Sequence, residues 1–444
     1  MGLRWRSCFY PGHYNSKVIL KIKKAFSTDL VRVSSLNAVS TVIKMLTGLV
    51  SVKVVAAIIG PAGIALLGQL NNFSTITLGI SSGGINAGMT KYISEYSRSR
   101  KKYLLFLGTG FWITIFFSIL TSIALIVGAG YFSKVFLLDE KYKFVFYFFG
   151  CTIILYALNA LLISVINGFK EYKKYIIANI LGSIVGLIFS VILSIRYGVS
   201  GALISVVTFQ SIVFLLTLAI IHKSYWFEWR EFSRKYSKLV AGRLGHYSIM
   251  ALVSAIVVPV SQLIIRTYIK NHVSITSAGL WEGINRISIM YLLVITTSLS
   301  VYYLPRLAEL RNKIDLRKEI FSVYKLIIPL LVAATIVIYF LRKLIIQILF
   351  TREFAGMQEL FGFQLIGDIF KMAGWILGYL MIAKAMTKTY ITMEFVSYSG
   401  QVLFSCGFVA LYGTVGATIG YAVGNFLYFV IMVIIFRKTL FNYG

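Results

Sequence analysis

The chain has 444 residues, of which 58% are hydrophobic and only 13% are charged, and its mean hydropathy is +0.82. Soluble domains carry roughly 25% charged residues, so this composition excludes an ordinary soluble protein and indicates an integral membrane protein. The net charge of +29 would suggest nucleic-acid binding in a soluble protein. Here the Lys/Arg bias of cytoplasmic membrane loops explains it, and we expect no nucleic-acid partner.

The N-terminal segment precedes the first apolar stretch and lacks the apolar region and cleavage site of a signal peptide. We therefore interpret residues 1–30 as a cytoplasmic N-terminal extension. The three cysteines, Cys8, Cys151 and Cys406, are too few and too scattered for a disulfide framework or a metal site. We expect no metal and no cofactor.

About twelve apolar stretches follow, each near the roughly 20 residues that a bilayer requires. They lie at about 32–58, 66–93, 103–131, 144–168, 174–195, 199–221, 244–268, 280–304, 320–341, 359–384, 389–411 and 415–436. The longest polar connection divides them six plus six. We predict an all-α integral membrane protein with two pseudo-symmetric six-helix lobes, an N-lobe at 31–221, a cytoplasmic linker at 222–243 and a C-lobe at 244–438.

Lys and Arg residues outside these stretches concentrate on one side, the side that holds both termini and the linker. Dense clusters there include Arg98, Arg100, Lys101 and Lys102, then Lys170, Lys173 and Lys174. Because basic loops stay on the cytoplasmic side, both termini are expected in the cytoplasm.

Basic side chains also occur inside the apolar stretches, where a charge costs roughly 2.5 to 3.5 kcal/mol on insertion scales. They are Lys44, Lys53, Lys91, Arg266, Arg286, Lys325 and Lys371. The carboxylates available at similar depth are chiefly Glu282, Asp368 and Glu394. This imbalance predicts a central cavity with a positive excess that holds an anion.

The first span places Lys44 on a polar stripe with Asn37, Thr41 and Ser51, so Lys44 is expected to face a cavity. Lys53 lies on the opposite side of the helix near its end, where its side chain is long enough to reach the membrane interface. The spacing of Lys91 and Glu95 suits a local ion pair. For Lys53 and Lys91 both a structural and a functional role remain open.

The second half contains two further arginines with polar neighbours four residues away. Arg286 follows Glu282, and Arg266 follows Gln262 beyond Pro259, which should kink the helix. Arginine suits a diphosphate because its planar fork donates two hydrogen bonds at once. If Glu282 is the only partner of Arg286, however, that pair is structural.

One narrow stripe of the tenth span carries Gln364, Asp368, Lys371, Trp375 and Tyr379, beside a strip of glycines where another helix can approach. The stripe can bind a proton, an anion and a sugar ring in sequence, or it is a self-neutralised pair flanked by packing aromatics. Glu394 lies on a second polar stripe in span eleven. Asp368, Glu282 and Glu394 are the candidate coupling or gating residues.

No G-x-x-x-x-G-K-[ST] loop for ATP and no H-E-x-x-H motif is present. Energy must then come from an ion gradient, the membrane potential or the substrate, which favours a secondary transporter or flippase.

Several motifs carry a family resemblance. They are GPAGIALL (60–67), GMTKYISEY (88–96), INGFKEY (166–172), LWEGINRIS (280–288), SVYYLPRLAEL (300–310) and FQLIGDIFKMAGWILGYLMIAKA (363–385). These motifs resemble the Wzx family of O-antigen and enterobacterial common antigen translocases, and the likeness is most specific in the second half. By motif, Lys44, Lys53, Lys91, Asp368 and Lys371 occupy matching positions. Arg286 stands where a serine can occur.

The resemblance implies a MATE-like fold of the multidrug/oligosaccharidyl-lipid/polysaccharide exporter superfamily, with two lobes around a central cavity. It also implies the substrate, an undecaprenyl-pyrophosphate-linked oligosaccharide in the bacterial inner membrane. A polysaccharide polymerase and a chain-length regulator would be its partners. Two alternatives remain: a MATE-type drug antiporter, for which an acidic cavity would be expected, and a membrane enzyme, which would need a catalytic loop outside the bilayer.

Overall fold

A computed structural model describes residues 29–228, 236–310, 312–384 and 386–441 of the chain. Nearly all of the predicted N-terminal extension and part of the linker lie outside these ranges. The N-terminal half of the described chain is helical, as follows: α1 Asp29–Ser81, α2 Asn86–Tyr96, α3 Arg100–Val127, α4 Ala129–Leu137, α5 Lys143–Gly168 and α6 Tyr172–Ile221. We refer to α1–α6 as the N-lobe.

The C-terminal half continues in the same way: α7 Lys238–His272, α8 Ile275–Ser298, α9 Leu304–Glu309, α10 Lys313–Leu349, α11 Phe361–Ala383, α12 Thr387–Tyr412, α13 Thr414–Ile435 and α14 Arg437–Leu440. A π-helical turn, Leu299–Tyr303, joins α8 to α9, and a 3-10 segment, Arg352–Leu360, precedes α11. We refer to α7–α14 as the C-lobe.

Within the described ranges, 10 helices are long and apolar enough to cross a membrane. Two of them are double spans. The α1 helix turns at Gly60, where φ is 64°, and α6 turns at Gly198, where φ is 57°. A left-handed φ strains any residue except glycine, so these glycines set the turns. Dividing both helices gives the twelve predicted spans.

The second predicted span is interrupted. Helix α1 ends at Ser81 and α2 begins at Asn86, and Gly83 and Gly84 between them have positive φ. A Cβ on Gly84 would lie 2.9 Å from the backbone oxygen of Ser248 in α7. The break between α1 and α2 therefore lets a C-lobe helix pack closely.

The two lobes meet closely at the end of the bundle that contains Gly60, which we call the Gly60 end. A Cβ on Gly279 of α8 would lie 1.9 Å from the backbone oxygen of Pro61. One buried apolar cluster continues across the lobes there, with Ile64 and Phe73 from α1 and Phe350 and Phe354 from the C-lobe. Burial of these side chains holds the lobes together at this end.

Candidate functional site

The helices of the described ranges enclose two cavities of several hundred Å³ each. The N-lobe cavity, about 390 Å³, is bounded by α1, α5 and α6, with one side chain from α8. The C-lobe cavity, about 540 Å³, is bounded by α7, α8, α11, α12 and α13, with Asn72 from α1. Both volumes fall in the range of roughly 300 to 1,000 Å³ that is typical of small-molecule sites.

The N-lobe cavity combines two cations with amide and hydroxyl groups. The Lys44 Nζ donates a hydrogen bond to Asn179 Oδ1 at 2.7 Å. Arg286 reaches this cavity from the other lobe, and no carboxylate occurs among the described residues that line it. The predicted orientation of Lys44 is confirmed, and the cavity suits an anion.

Three charged residues connect this cavity to the second one. Glu282 accepts a hydrogen bond from Arg266 Nη2 at 2.5 Å and another from Arg286 Nε at 3.1 Å. Arg266 also donates to Gln69 Oε1 of the N-lobe at 3.3 Å and lies over the Trp281 ring, 5.6 Å from its centroid. Glu282 thus binds two arginines, whereas the sequence suggested only Arg286 as its partner. We call Arg266, Glu282 and Arg286 the triad, and together they carry one net positive charge.

A glycine on α1 leaves room for the Glu282 carboxylate between closely packed helices. A Cβ on Gly68 of α1 would lie 2.5 Å from the carboxyl carbon of Glu282. Only a glycine at this position lets α1 approach the triad so closely. Gly68 and Gln69 are therefore functional-site residues that the sequence analysis missed.

Asp368 is fully buried and is surrounded by hydroxyl groups. Ser288 Oγ and Tyr291 OH donate to Oδ2 at 2.7 and 2.5 Å, and Tyr421 OH donates to Oδ1 at 2.7 Å. Hydrogen bonds to a charged group are worth roughly 1.5 to 3 kcal/mol each. The groups that hydrogen-bond directly to this carboxylate are therefore hydroxyls.

Lys371 does not form the self-neutralised pair that the sequence allowed. No ion pair within 4.0 Å joins it to a carboxylate among the described residues. Its Nζ lies over the rings of Trp375 and Tyr421, 5.1 and 5.7 Å from the centroids. Cation–π contacts of this kind stabilise a desolvated ammonium. Lys371 lines the C-lobe cavity together with Trp375 and Tyr379.

Glu394 also lines this cavity. Ser254 Oγ approaches its Oε1 at 3.5 Å, and the same hydroxyl lies 3.1 Å from Tyr390 OH. At the other end of the cavity, Tyr379 OH lies 2.8 Å from Ser300 Oγ. The predicted stripe on α11 and the second stripe on α12 therefore meet in one cavity.

Three of the predicted cations lie outside both cavities. Lys53 Nζ donates to the backbone oxygens of Gln347 and Phe350 at 3.1 and 3.0 Å, and so caps the C-terminus of α10. Lys91 is exposed, with its ammonium 4.9 Å from the centroid of the Tyr92 ring. Lys325 is exposed as well. The sequence left the roles of Lys53 and Lys91 open, and neither residue is among those that line the two cavities.

The charge distribution differs from the single positive cavity that was predicted. The C-lobe cavity is lined by Arg266 and Lys371 together with Glu282 and Glu394, which balance formally. The positive excess lies in the N-lobe cavity, at Lys44 and Arg286. Among the described residues, no group of three or more His, Cys, Asp or Glu side chains is placed to hold a metal ion.

Several partners in these sites gave no pattern along the chain. Asn179, Tyr291 and Tyr421 stand on helices remote in sequence from the charges they contact. The sequence signal was local, since Ser288 and Tyr291 are three residues apart and so share one face of α8.

Comparison with known proteins gives a consistent picture. A family model described as polysaccharide biosynthesis protein matches residues 30–311. The chain is similar to the Lipid III flippase of Escherichia coli (strain K12), with 27% identity over 401 residues, 90% of this chain and 96% of the relative. It is equally similar to the Lipid III flippase of Shigella flexneri, with 27% identity over the same shares.

Solved structures show the fold. An inward-facing multidrug resistance MATE family transporter of the MOP superfamily superposes with a TM-score of 0.77 at 12% identity, covering 90% of this chain and 94% of that one. A MOP superfamily transporter from Pyrococcus furiosus, described as having a binding pocket of reverse polarity, superposes with a TM-score of 0.69 at 13% identity, covering 92% and 96%. The predicted MATE-like architecture is confirmed.

Proposed function

The chain belongs to the polysaccharide biosynthesis protein family, and we propose that it is a flippase for undecaprenyl-pyrophosphate-linked oligosaccharides. Its relatives and its fold are those of a transporter rather than an enzyme. The proposed substrate is an O-antigen or related repeat unit, moved from the cytoplasmic to the periplasmic leaflet by alternating access. A polysaccharide polymerase and a chain-length regulator are proposed as its partners.

The N-lobe cavity carries this proposal. It presents Lys44 and Arg286 with no carboxylate among its described lining residues. A pyrophosphate needs such a cationic site when it leaves water, whereas a cationic drug would be repelled by it. The observation therefore favours the flippase over the MATE-type drug antiporter.

The membrane potential can supply the energy. An inside-negative potential favours the outward movement of a negative charge by roughly 2.3 kcal/mol per charge per 100 mV. The protein must then lower the barrier and return to its starting state. We propose Asp368 and Glu394 as the groups that couple this return to protons or another cation, with Glu282 as a gating residue between the lobes.

We propose that the protein lies in the bacterial inner membrane with both termini in the cytoplasm. Reporter fusions after Arg234 and after Phe436 should both report cytoplasm, and a fusion near Asn271 should report periplasm. A periplasmic C-terminus would contradict this orientation and, with it, the direction of transport.

The flippase proposal is tested by replacing Lys44 and Lys53 separately with alanine. Lys44→Ala should strongly reduce surface polysaccharide at unchanged protein level, because the N-lobe cavity loses a cation. Lys53→Ala should act more mildly, since Lys53 only caps a helix. Lys44→Arg should retain partial function because it keeps the charge. Wild-type surface polysaccharide in Lys44→Ala cells would contradict the proposed role of the cavity.

A further inference from the structure

The C-lobe cavity is lined by polar groups that the protein leaves without hydrogen-bond partners. Five lining residues each have one such buried atom: Asn72 Nδ2, Arg266 Nε, Asn285 Nδ2, Gln364 Oε1 and Glu394 Oε2. Each buried group left unpaired costs roughly 1 to 3 kcal/mol, so folded proteins contain few of them. Five such atoms around one cavity indicate that a ligand supplies their hydrogen-bond partners.

Gln364 and Asn285 form the centre of this set. Gln364 is only 1% exposed, and its Nε2 donates to Asn285 Oδ1 at 3.3 Å and to Ser288 Oγ at 3.1 Å. If the oxygen and nitrogen of both side-chain amides are exchanged, Gln364 and Asn285 still bond to each other. In either orientation one amide N–H group and one amide oxygen remain without a partner. The last bond of an amide side chain rotates easily, so both groups can turn toward a ligand.

The number and type of these free groups suit sugar hydroxyls. Three of the five atoms are donors and two are acceptors, and each sugar hydroxyl both donates and accepts. A carboxylate or phosphate would leave the free acceptors of Gln364 and Glu394 unpaired. An amine would leave the three free donors, on Asn72, Arg266 and Asn285, unpaired.

The remaining lining agrees with this chemistry. Aromatic side chains surround the cavity, with Trp375, Tyr379, Tyr390, Tyr398, Tyr421 and Tyr428 among them. Aromatic rings offer flat apolar surfaces with polar edges, which match the faces and edges of a sugar ring. The formal charges that line the cavity balance, so it has no excess charge to select a uronic acid or an amino sugar.

We propose that the C-lobe cavity is the saccharide-selecting subsite and that it takes neutral sugar rings through Asn72, Asn285, Gln364 and Glu394. The diphosphate of the same molecule would lie in the N-lobe cavity. Arg266 and Glu282 line the C-lobe cavity and Arg286 lines the N-lobe cavity, so the triad marks the boundary between the subsites. This inference rests on the proposed flippase function.

The test compares two lipids in liposomes that contain the purified full-length protein. One is undecaprenyl pyrophosphate without sugar. The other is the lipid-linked repeat unit extracted from the source strain after deletion of this gene. Gln364→Met should slow transport of the repeat unit roughly tenfold, the loss expected for one hydrogen bond to a neutral group. Trp375→Leu should slow it by a similar factor, because the sugar ring loses a flat aromatic surface. Transport of the sugar-free lipid should change less than twofold.

Matched controls are Gln347→Met and Trp112→Leu. Both residues are exposed and line neither cavity, so both transport rates should stay at wild-type values. If Gln364→Met and Trp375→Leu slow both lipids equally, the two residues act on the fold and the inference fails. Unchanged rates for both lipids would overturn it as well.

A binding measurement separates this inference from the flippase proposal. The oligosaccharide released from the extracted lipid by mild acid can be tested on the solubilised protein by saturation-transfer NMR. If the oligosaccharide binds to the wild type and to Gln347→Met but not to Gln364→Met, the saccharide subsite is supported. That support holds even if the wild-type protein transports neither lipid, and the absence of transport would by itself reject the flippase proposal. Absence of binding to the wild type, or binding that Gln364→Met does not alter, overturns the subsite.

Discussion

Replacing Glu282 by glutamine should destabilise the protein by about 3 kcal/mol, near the lower end of the range for breaking a buried ion pair. Glu282 is 9% exposed and Arg266 is 3% exposed. The single carboxylate serves two guanidinium groups, at 2.5 and 3.1 Å. An amide has the same shape but only one accepting oxygen, so one arginine would lose its partner and face an N–H group.

The described residues around Glu282 offer the two arginines few other hydrogen-bond acceptors. The carboxyl group packs directly on Gly68, with no room there for a side chain. Arg266 retains Gln69 Oε1 at 3.3 Å, but Arg286 has no second carboxylate among the described residues. The loss should therefore fall mainly on Arg286, which also lines the N-lobe cavity.

The assay is thermal unfolding of the detergent-solubilised protein, followed as the fraction that remains monodisperse after heating. Glu359→Gln is the matched control, since Glu359 is exposed on the 3-10 segment. Combining Glu282→Gln with Arg286→Met should recover part of the stability, because the unpaired guanidinium is removed. A Glu282→Gln protein as stable as the wild type, or a double variant with no recovery, would refute this account of the triad.

Three further predictions concern single features of the fold. Lys53→Met should lower the stability by about 1 kcal/mol in the same thermal assay, because two helix-terminal carbonyl oxygens lose their hydrogen-bond donor. Lys53→Arg should retain most of the wild-type stability. Gly68→Ala should reduce the amount of protein in the membrane, measured on immunoblots, because the new Cβ would lie 2.5 Å from the carboxyl carbon of Glu282. Gly407→Ala is the control and should leave the amount unchanged, because Gly407 has open space around it. Asp368→Asn should reduce flipping, and adding Lys371→Met should not restore it, because the two side chains are not ion-paired. Full recovery of flipping in the double variant would show that they neutralise each other.

The charged residues differ in how well the sequence placed them. Lys44 was predicted correctly because it shares a helix face with other polar residues, and that periodicity is local. Lys53 and Lys91 matched the family's motifs equally well, yet both lie outside the cavities. A motif match cannot distinguish a cavity lysine from a helix cap, because the carbonyl groups of the cap come from a helix almost three hundred positions away.

The Asp368 site shows the same limit. The sequence placed Asp368 and Lys371 on one face of α11, which is correct. Helical spacing also allowed them to pair, but the opposing helices decide the outcome. Hydroxyls from α8 and α13 surround the carboxylate, and two aromatic rings hold the ammonium.

By itself, the sequence determined the class of the protein, its helical spans and the presence of cations at membrane depth. These follow from local quantities, namely the length of an apolar stretch and the spacing of polar residues along one helix. Only the tertiary structure decided where the positive charge collects. Arg286 belongs to the C-lobe in sequence but lines the N-lobe cavity, because α8 packs against α1 where Gly68 and Gly279 remove the side chains between them. Which helices approach each other depends on packing across the whole bundle, and no single helix carries that information.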